Sequence, residues 1–118
     1  MKFAVIGSRD FTDYDKLKSV LSQYEIGEIV SGGARGADSM AARYAREHNI
    51  KLTEFIPDWS IGKHAGHVRN QLIIDSADVI IAFWDNHSPG TKDSIRKAKK
   101  AGKHCIIVDV RQGGLNFG

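Results

Sequence analysis

Apolar residues recur along this chain in two alternating rhythms, and the alternation predicts its architecture. Residues 2–6, 28–30, 51–56, 78–84 and 104–110 read as strands. The runs at 2–6, 78–84 and 104–110 are nearly continuous in apolar residues, as in strands covered on both faces. The segment 51–56 alternates instead, and Asn49 and Pro57 bracket it. Between the strands, apolar residues return every three or four positions, the spacing that lays one helix face on a core. Tyr14, Leu17, Val20, Leu21 and Tyr24 do so within 13–24, where Thr12 or Asp13 can cap the start and Gly27 follows the end. Ala37, Met40, Ala41, Tyr44 and Ala45 do so within 37–47, and Val68, Leu72 and Ile73, all expected to face inward, within 64–76. A basic helix is predicted over 93–101. Residues 58–62 read as a loop carrying an exposed Trp59, and 85–91 as a turn-rich loop.

Strand and helix thus alternate along the chain, with crossovers long enough for parallel pairing and no proline inside a strand. This predicts an α/β fold, a doubly wound five-stranded parallel sheet with strand order 3-2-1-4-5. Residues 1–118 are expected to form a single domain, with 112–118 a loose tail. In such sheets ligands sit beyond the C-terminal ends of the strands, where the winding reverses. The turns at 7–10, 31–38 and 84–91 should then converge on one crevice.

Composition narrows the class. With 118 residues, 42% hydrophobic and 26% charged, the chain fits an ordinary soluble domain that needs no disulfide or metal staple. The N-terminal run lacks the basic flank and longer apolar core of a signal peptide, and no stretch approaches the roughly 20 apolar residues of a membrane span. The expectation is a cytoplasmic protein with no membrane partner. The single cysteine, Cys105, lies in an apolar run and is expected in the core. The net charge of +3 is concentrated in 92–103, where Lys92, Arg96, Lys97, Lys99, Lys100 and Lys103 face only Asp93. At helical spacing this reads as a solvated outer face, with nucleic-acid phosphates as the alternative partner. His64 and His67 stand three apart, but no cysteine or carboxylate completes a metal set, so no metal and no cofactor is expected.

The most distinctive stretch is Ser31-Gly32-Gly33-Ala34-Arg35-Gly36-Ala37-Asp38, a glycine-rich turn between a strand and a helix. It matches neither the dinucleotide fingerprint nor the Gly-Lys-Ser/Thr phosphate loop. It is either a tight connection or an anion site in which glycine backbone and the following helix N-terminus meet a phosphate. Arg35 can pair with phosphate in a bidentate fork; Asp38 either caps the helix, the role favoured for it, or accepts a ribose hydroxyl. Gly7, Ser8 and Arg9 end the first strand as a solvated turn or as part of the same site. Ser88, Gly90 and Thr91 form a helix cap or a second phosphate contact. Arg69 and Asn70 face either solvent or the crevice, and Trp84 ends the fourth strand near the expected ribose or base.

These motifs together resemble the Rossmann-like SLOG superfamily: Val5-Ile6-Gly7-Ser8-Arg9, the 31–38 turn, Arg69-Asn70 ahead of an Asp78-led strand, and Ser88-x-Gly90-Thr91. The similarity is strongest to its small single-domain members from bacteria and phages. It extends to the core of the DNA-processing DprA/Smf proteins and, more distantly, to LOG-type phosphoribohydrolases. The resemblance implies a nucleotide or nucleotide-derived ligand, with nucleoside monophosphate N-glycosidase activity or single-stranded DNA binding as alternatives, and a homodimer. LOG enzymes carry a glutamate at the third position after Gly-Thr, where this chain has Ser94. Breaking an N-glycosidic bond builds oxocarbenium character that a carboxylate must stabilise or a base-activated water must attack. Arg69 can stand for the family arginine, but only Asp93 or Asp85 is left to act as the carboxylate.

Overall fold

Successive residues of the central strands enter opposite layers of core, which explains why those strands are apolar without alternation. The structure, a computed structural model, describes residues 1–110. Strands β1 (Lys2–Gly7), β2 (Glu28–Ser31), β3 (Lys51–Glu54), β4 (Val79–Trp84) and β5 (His104–Asp109) are all parallel, in the order β3-β2-β1-β4-β5. Helices α1 (Tyr14–Leu21), α2 (Ala37–Glu47), α3 (Ala65–Ser76) and α4 (Pro89–Lys100) connect them. Phe3, Val5, Ile81 and Phe83 pack with α1 and α2, whereas Ala4, Ile6, Ile80 and Ala82 pack with α3 and α4. The predicted Rossmann-like sheet is therefore present, with its reversal of winding between β1 and β4. The expected tail at 112–118 lies outside the described residues. Among the described residues no helix is long and apolar enough to cross a membrane.

Several local expectations are corrected. Val68 and Leu72 are exposed, at 42% and 47%, and the inward residues of α3 are Ala65, Ile73 and Ile74. At 3.6 residues per turn, Val68 and Leu72 lie roughly 100° or more round the helix from Ile73 and Ile74, so one helix cannot bury both rows. The last strand is not fully buried: among the described residues β5 pairs only with β4, Ile107 is exposed, and Cys105 is half-buried, its thiol pushed up by burial. α4 begins four residues before the predicted start, at Pro89, because proline at the first helical position gives up no hydrogen bond. β3 stops at Glu54 rather than 56, and a one-turn 3-10 helix, Trp59–Ile61, replaces part of the 58–62 loop. The basic run is not uniformly solvated. Lys103 Nζ donates to the carbonyls of Ile74, Asp75 and Ala77 at 2.7–2.9 Å, closing the C-terminal end of α3.

One glycine sets how closely two of the expected site loops approach. Gly36 has φ +78°, and a Cβ there would run into the carbonyls of Ser8 and Arg9. Glycine thus permits both the left-handed backbone and the contact between the turn after β1 and the turn before α2. Gly36→Ala is expected to cost about 2 kcal/mol or more in urea denaturation, from strain plus displaced carbonyls. A loss within about 0.5 kcal/mol, the range of neutral surface changes, would contradict this packing.

Candidate ligand crevice at the winding reversal

A crevice of about 410 Å³ opens at the C-terminal ends of β1 and β4, the position where doubly wound sheets bind ligands. Three loops meet there, as the strand order requires. Of the residues singled out from sequence, Gly7, Ser8, Arg9, Arg35, Asp38, Arg69, Asn70, Ser88, Gly90 and Thr91 line it. Ile6, Asp10, Ala34, Ile73, Pro89 and Ser94 line it as well. Ile6 and Ile73 are ordinary core residues in sequence terms, and only the strand order brings them under the site.

The remaining candidates do not line the crevice. Ser31 is buried, its Oγ accepting a weak hydrogen bond from the Gly33 N–H at 3.4 Å. Gly32 is the place where Arg69 crosses: its carbonyl accepts from Arg69 Nη1 at 2.8 Å, and a side chain there would collide with the guanidinium. Gly33, at φ +70°, lies against Ile56, and Gly36 faces the turn after β1. Trp84 is turned to a structural task, its indole Nε1 donating to the Ser88 carbonyl at 3.2 Å.

The hydroxyl of Ser8 does not simply point into the crevice; its Oγ accepts from the Asp85 N–H at 3.1 Å, joining the first and third loops. Asp85 in turn collects the N–H groups of His87 and Ser88, both at 2.8 Å, and the Ser88 hydroxyl at 2.9 Å. Burial alone would push Asp85 up, but these donors overcome it and hold the carboxyl down at about 2. With Ser88 so engaged, α4 has no side-chain cap. Pro89 has no N–H, so Gly90 and Thr91 present the free donors of the helix start, and the space beside Gly90 is open.

Arg69 and Asn70 are not solvent decoration. Arg69 Nε donates to Asn70 Oδ1 at 3.0 Å, which directs the amide nitrogen of Asn70 to Asp93 Oδ2 at 3.3 Å. Lys97 Nζ holds both oxygens of Asp93 at 2.6–2.7 Å, and His67 Nδ1 lies 3.2 Å away. Burial opposes ionisation of Asp93, but Lys97, Asn70 and His67 outweigh it and keep the carboxyl below the ordinary range. Neither Asp93 nor Asp85 lines the crevice.

Asp38 departs from the capping role. It sits inside the first turn of α2 and reaches back to the loop, Oδ2 accepting from the Ala34 N–H at 3.1 Å, while the N-cap residue is Gly36. Arg69 is half-buried; burial first, then the neighbouring charge of Arg9, draws it below its usual value, against the pull of Asp38. The crevice is thus lined by three arginines, Arg9, Arg35 and Arg69, and two aspartates, Asp10 and Asp38. Among the described residues no cluster of three or more metal-ligating side chains exists.

Comparison with known proteins places the chain. The model of the YspA, cpYpsA-related SLOG family matches residues 1–62, the segment that carries β1, β2, α2 and two of the three loops. The chain belongs to this SLOG family. It is also 38% identical over 110 residues to the Gene 61 protein of Mycobacterium phage D29, covering 83% of this chain and 88% of that protein. Among solved structures, DNA processing protein A (DprA) from Streptococcus pneumoniae is similar with a TM-score of 0.79 at 19% identity, over 94% of this chain and 51% of that chain. That likeness is one of fold, and this SLOG chain spans about half the length of DprA.

Within this SLOG crevice Asp38 sets a pH dependence. Burial pushes its pKa up to about 6, against the N–H groups of Ala34 and Gly32 and the charge of Arg69. A carboxyl raised on folding stabilises the fold while protonated; its contribution is present below the ordinary carboxylate pKa and is lost as pH rises through about 6. Asp38→Asn should therefore gain on the order of 2–3 kcal/mol relative to wild type between pH 4 and pH 7 in urea denaturation. Parallel stability curves for the two proteins would contradict this.

Proposed function

We propose that the crevice binds the phosphate of a nucleotide or nucleotide-derived ligand and does not cleave it. The observation that carries this reading is the meeting of Arg9, Arg35 and Arg69 with the uncapped start of α4 at Gly90 and Thr91. A bound phosphate would relieve the repulsion between Arg9 and the half-buried Arg69 and would occupy the free N–H groups. Membership of the SLOG family and the DprA-like fold support a nucleotide-related ligand. The crevice volume is also within the usual span of small-molecule sites, roughly 300–1,000 Å³.

Hydrolysis of an N-glycosidic bond is the weaker reading. Asp93 is held by Lys97 behind Asn70, and Asp85 organises the loop before α4. Ser94 does line the crevice, at the position where the LOG enzymes carry their glutamate, and a hydroxyl there cannot replace a carboxylate. Single-stranded DNA is weaker too, because Lys97 and Lys103 of the basic run are engaged within the fold. That leaves Lys92, Lys99 and Lys100 on the exposed face, with Arg96 also exposed but reaching Asp93 at 3.4 Å.

Calorimetry against AMP, GMP, CMP, UMP and ADP-ribose should find binding that Arg35→Ala weakens at least about tenfold, the order expected for one charge-assisted pair. Chromatography of the same mixtures should find no free base. No binding across the panel, or affinity untouched by the substitution, would refute the proposal.

A further inference from the structure

Trp59 is left 61% exposed, although burial is what ordinarily makes tryptophan stabilising. Its ring is nonetheless set on a well-defined turn. Asp58 Oδ1 accepts from the Ser60 N–H at 3.1 Å and from the Ser60 hydroxyl, and the Ile61 and Gly62 N–H groups bond back to Asp58 and Trp59 at 3.2 Å. Among the described residues no ring or cation stacks on it, whereas the other tryptophan, Trp84, is tied to Ser88.

The position of the ring relates it to the crevice. Its Cη2 lies 3.7 Å from where a Cβ on Gly66 would stand. Gly66, Arg69, Asn70 and Ile73 follow the i, i+3, i+4, i+7 spacing of one helical stripe, and the last three line the crevice. Trp59 therefore covers the next turn of that stripe, about 5.4 Å farther out along α3 than Arg69 and Asn70. The exposed Val68 and Leu72 lie roughly 100° or more round the helix from the middle of this stripe, so the ring belongs to the crevice side and not to that apolar row.

We infer that Trp59 is the platform on which the base of the crevice ligand stacks, so that the site takes base-bearing nucleotides in preference to the bare sugar phosphate. The inference rests on the phosphate reading above. With phosphate at Arg69 and the α4 start, a ribose bridges the intervening helical turn and brings the base to the indole face. Stacking on an aromatic ring tolerates any base, and Asn70 on the same wall is already tied at both ends of its amide, to Arg69 and Asp93.

The test is calorimetry with AMP and with ribose 5-phosphate on the wild type, Trp59→Ala and Trp59→Phe. The expected result is an AMP affinity lowered about tenfold or more in Trp59→Ala, largely restored in Trp59→Phe, with ribose 5-phosphate binding unchanged throughout. If Trp59→Ala leaves AMP affinity unchanged, or lowers AMP and ribose 5-phosphate equally, the role of Trp59 is wrong while the phosphate site stands. A change in sedimentation coefficient without a change in AMP affinity likewise overturns it, assigning the ring to a protein contact. If neither compound binds the wild type, the phosphate reading falls and this inference with it.

Discussion

The guanidinium of Arg69 joins parts of the molecule that the sheet alone would leave independent. From α3 it donates to the Gly32 carbonyl on the loop after β2 and, through Asn70, to Asp93 on α4, where Lys97 completes the chain. Each member needs the next: Asn70 presents its amide nitrogen to Asp93 because its oxygen is taken by Arg69, and Asp93 stays ionised in a buried position because the Lys97 charge pairs with it and Asn70 and His67 hydrogen-bond to it. Hydrogen bonds to charged groups contribute about 1.5–3 kcal/mol each, and an orphaned buried member costs more than that. The crevice keeps its shape because one polar chain holds both its walls. That chain also engages Asp93, one of the two carboxylates left for a hydrolase reading.

Charge is distributed accordingly. Among the acidic groups near the crevice, Asp85 and Asp93 are structural and Asp38 is close to neutral at mildly acidic pH, while Asp10 is exposed at the crevice. The basic groups Arg9 and Arg35 are exposed at the crevice rim. Three arginines against Asp10 and Asp38 in the lining favour holding an anion over moving a proton, in keeping with the proposed binding role.

Much of the fold was legible in the sequence because a parallel sheet covered on both faces writes continuous apolar runs, such as Val79 to Phe83, between helices of clear period. What sequence could not convey follows from neighbours that only strand order creates. β5 reads as apolar as β4, but it is an edge strand. α3 carries apolar residues around its circumference, so its period could not distinguish Ile74 from Leu72. Around the crevice, the sequence pointed to Arg9, Arg35, Arg69, Gly7 and Gly90, which line it, and to Gly32, Gly33 and Gly36, which do not. The roles of Ser8 and Asp93 were not legible, because each depends on a partner distant in the chain, Asp85 for Ser8 and Asn70, 23 residues away, for Asp93, whereas Asp38 and Trp84 bond to Ala34 and Ser88 through loop geometry that residue type alone does not fix. Trp59 was visible as an exposed ring, but its relation to the crevice appeared only once Gly66 and Arg69 shared a helix face.

The central claim, a crevice that binds a nucleotide through the α4 start without cutting it, is most directly tested by one NMR titration of isotope-labelled protein with AMP. The account predicts that the largest amide shifts fall on Gly90 and Thr91, with the Arg9, Arg35 and Arg69 side-chain signals moving in step and the anomeric proton of AMP intact after prolonged incubation. Shifts confined to Arg96, Lys99 and Lys100 on the outer face, or the appearance of free adenine, would contradict it.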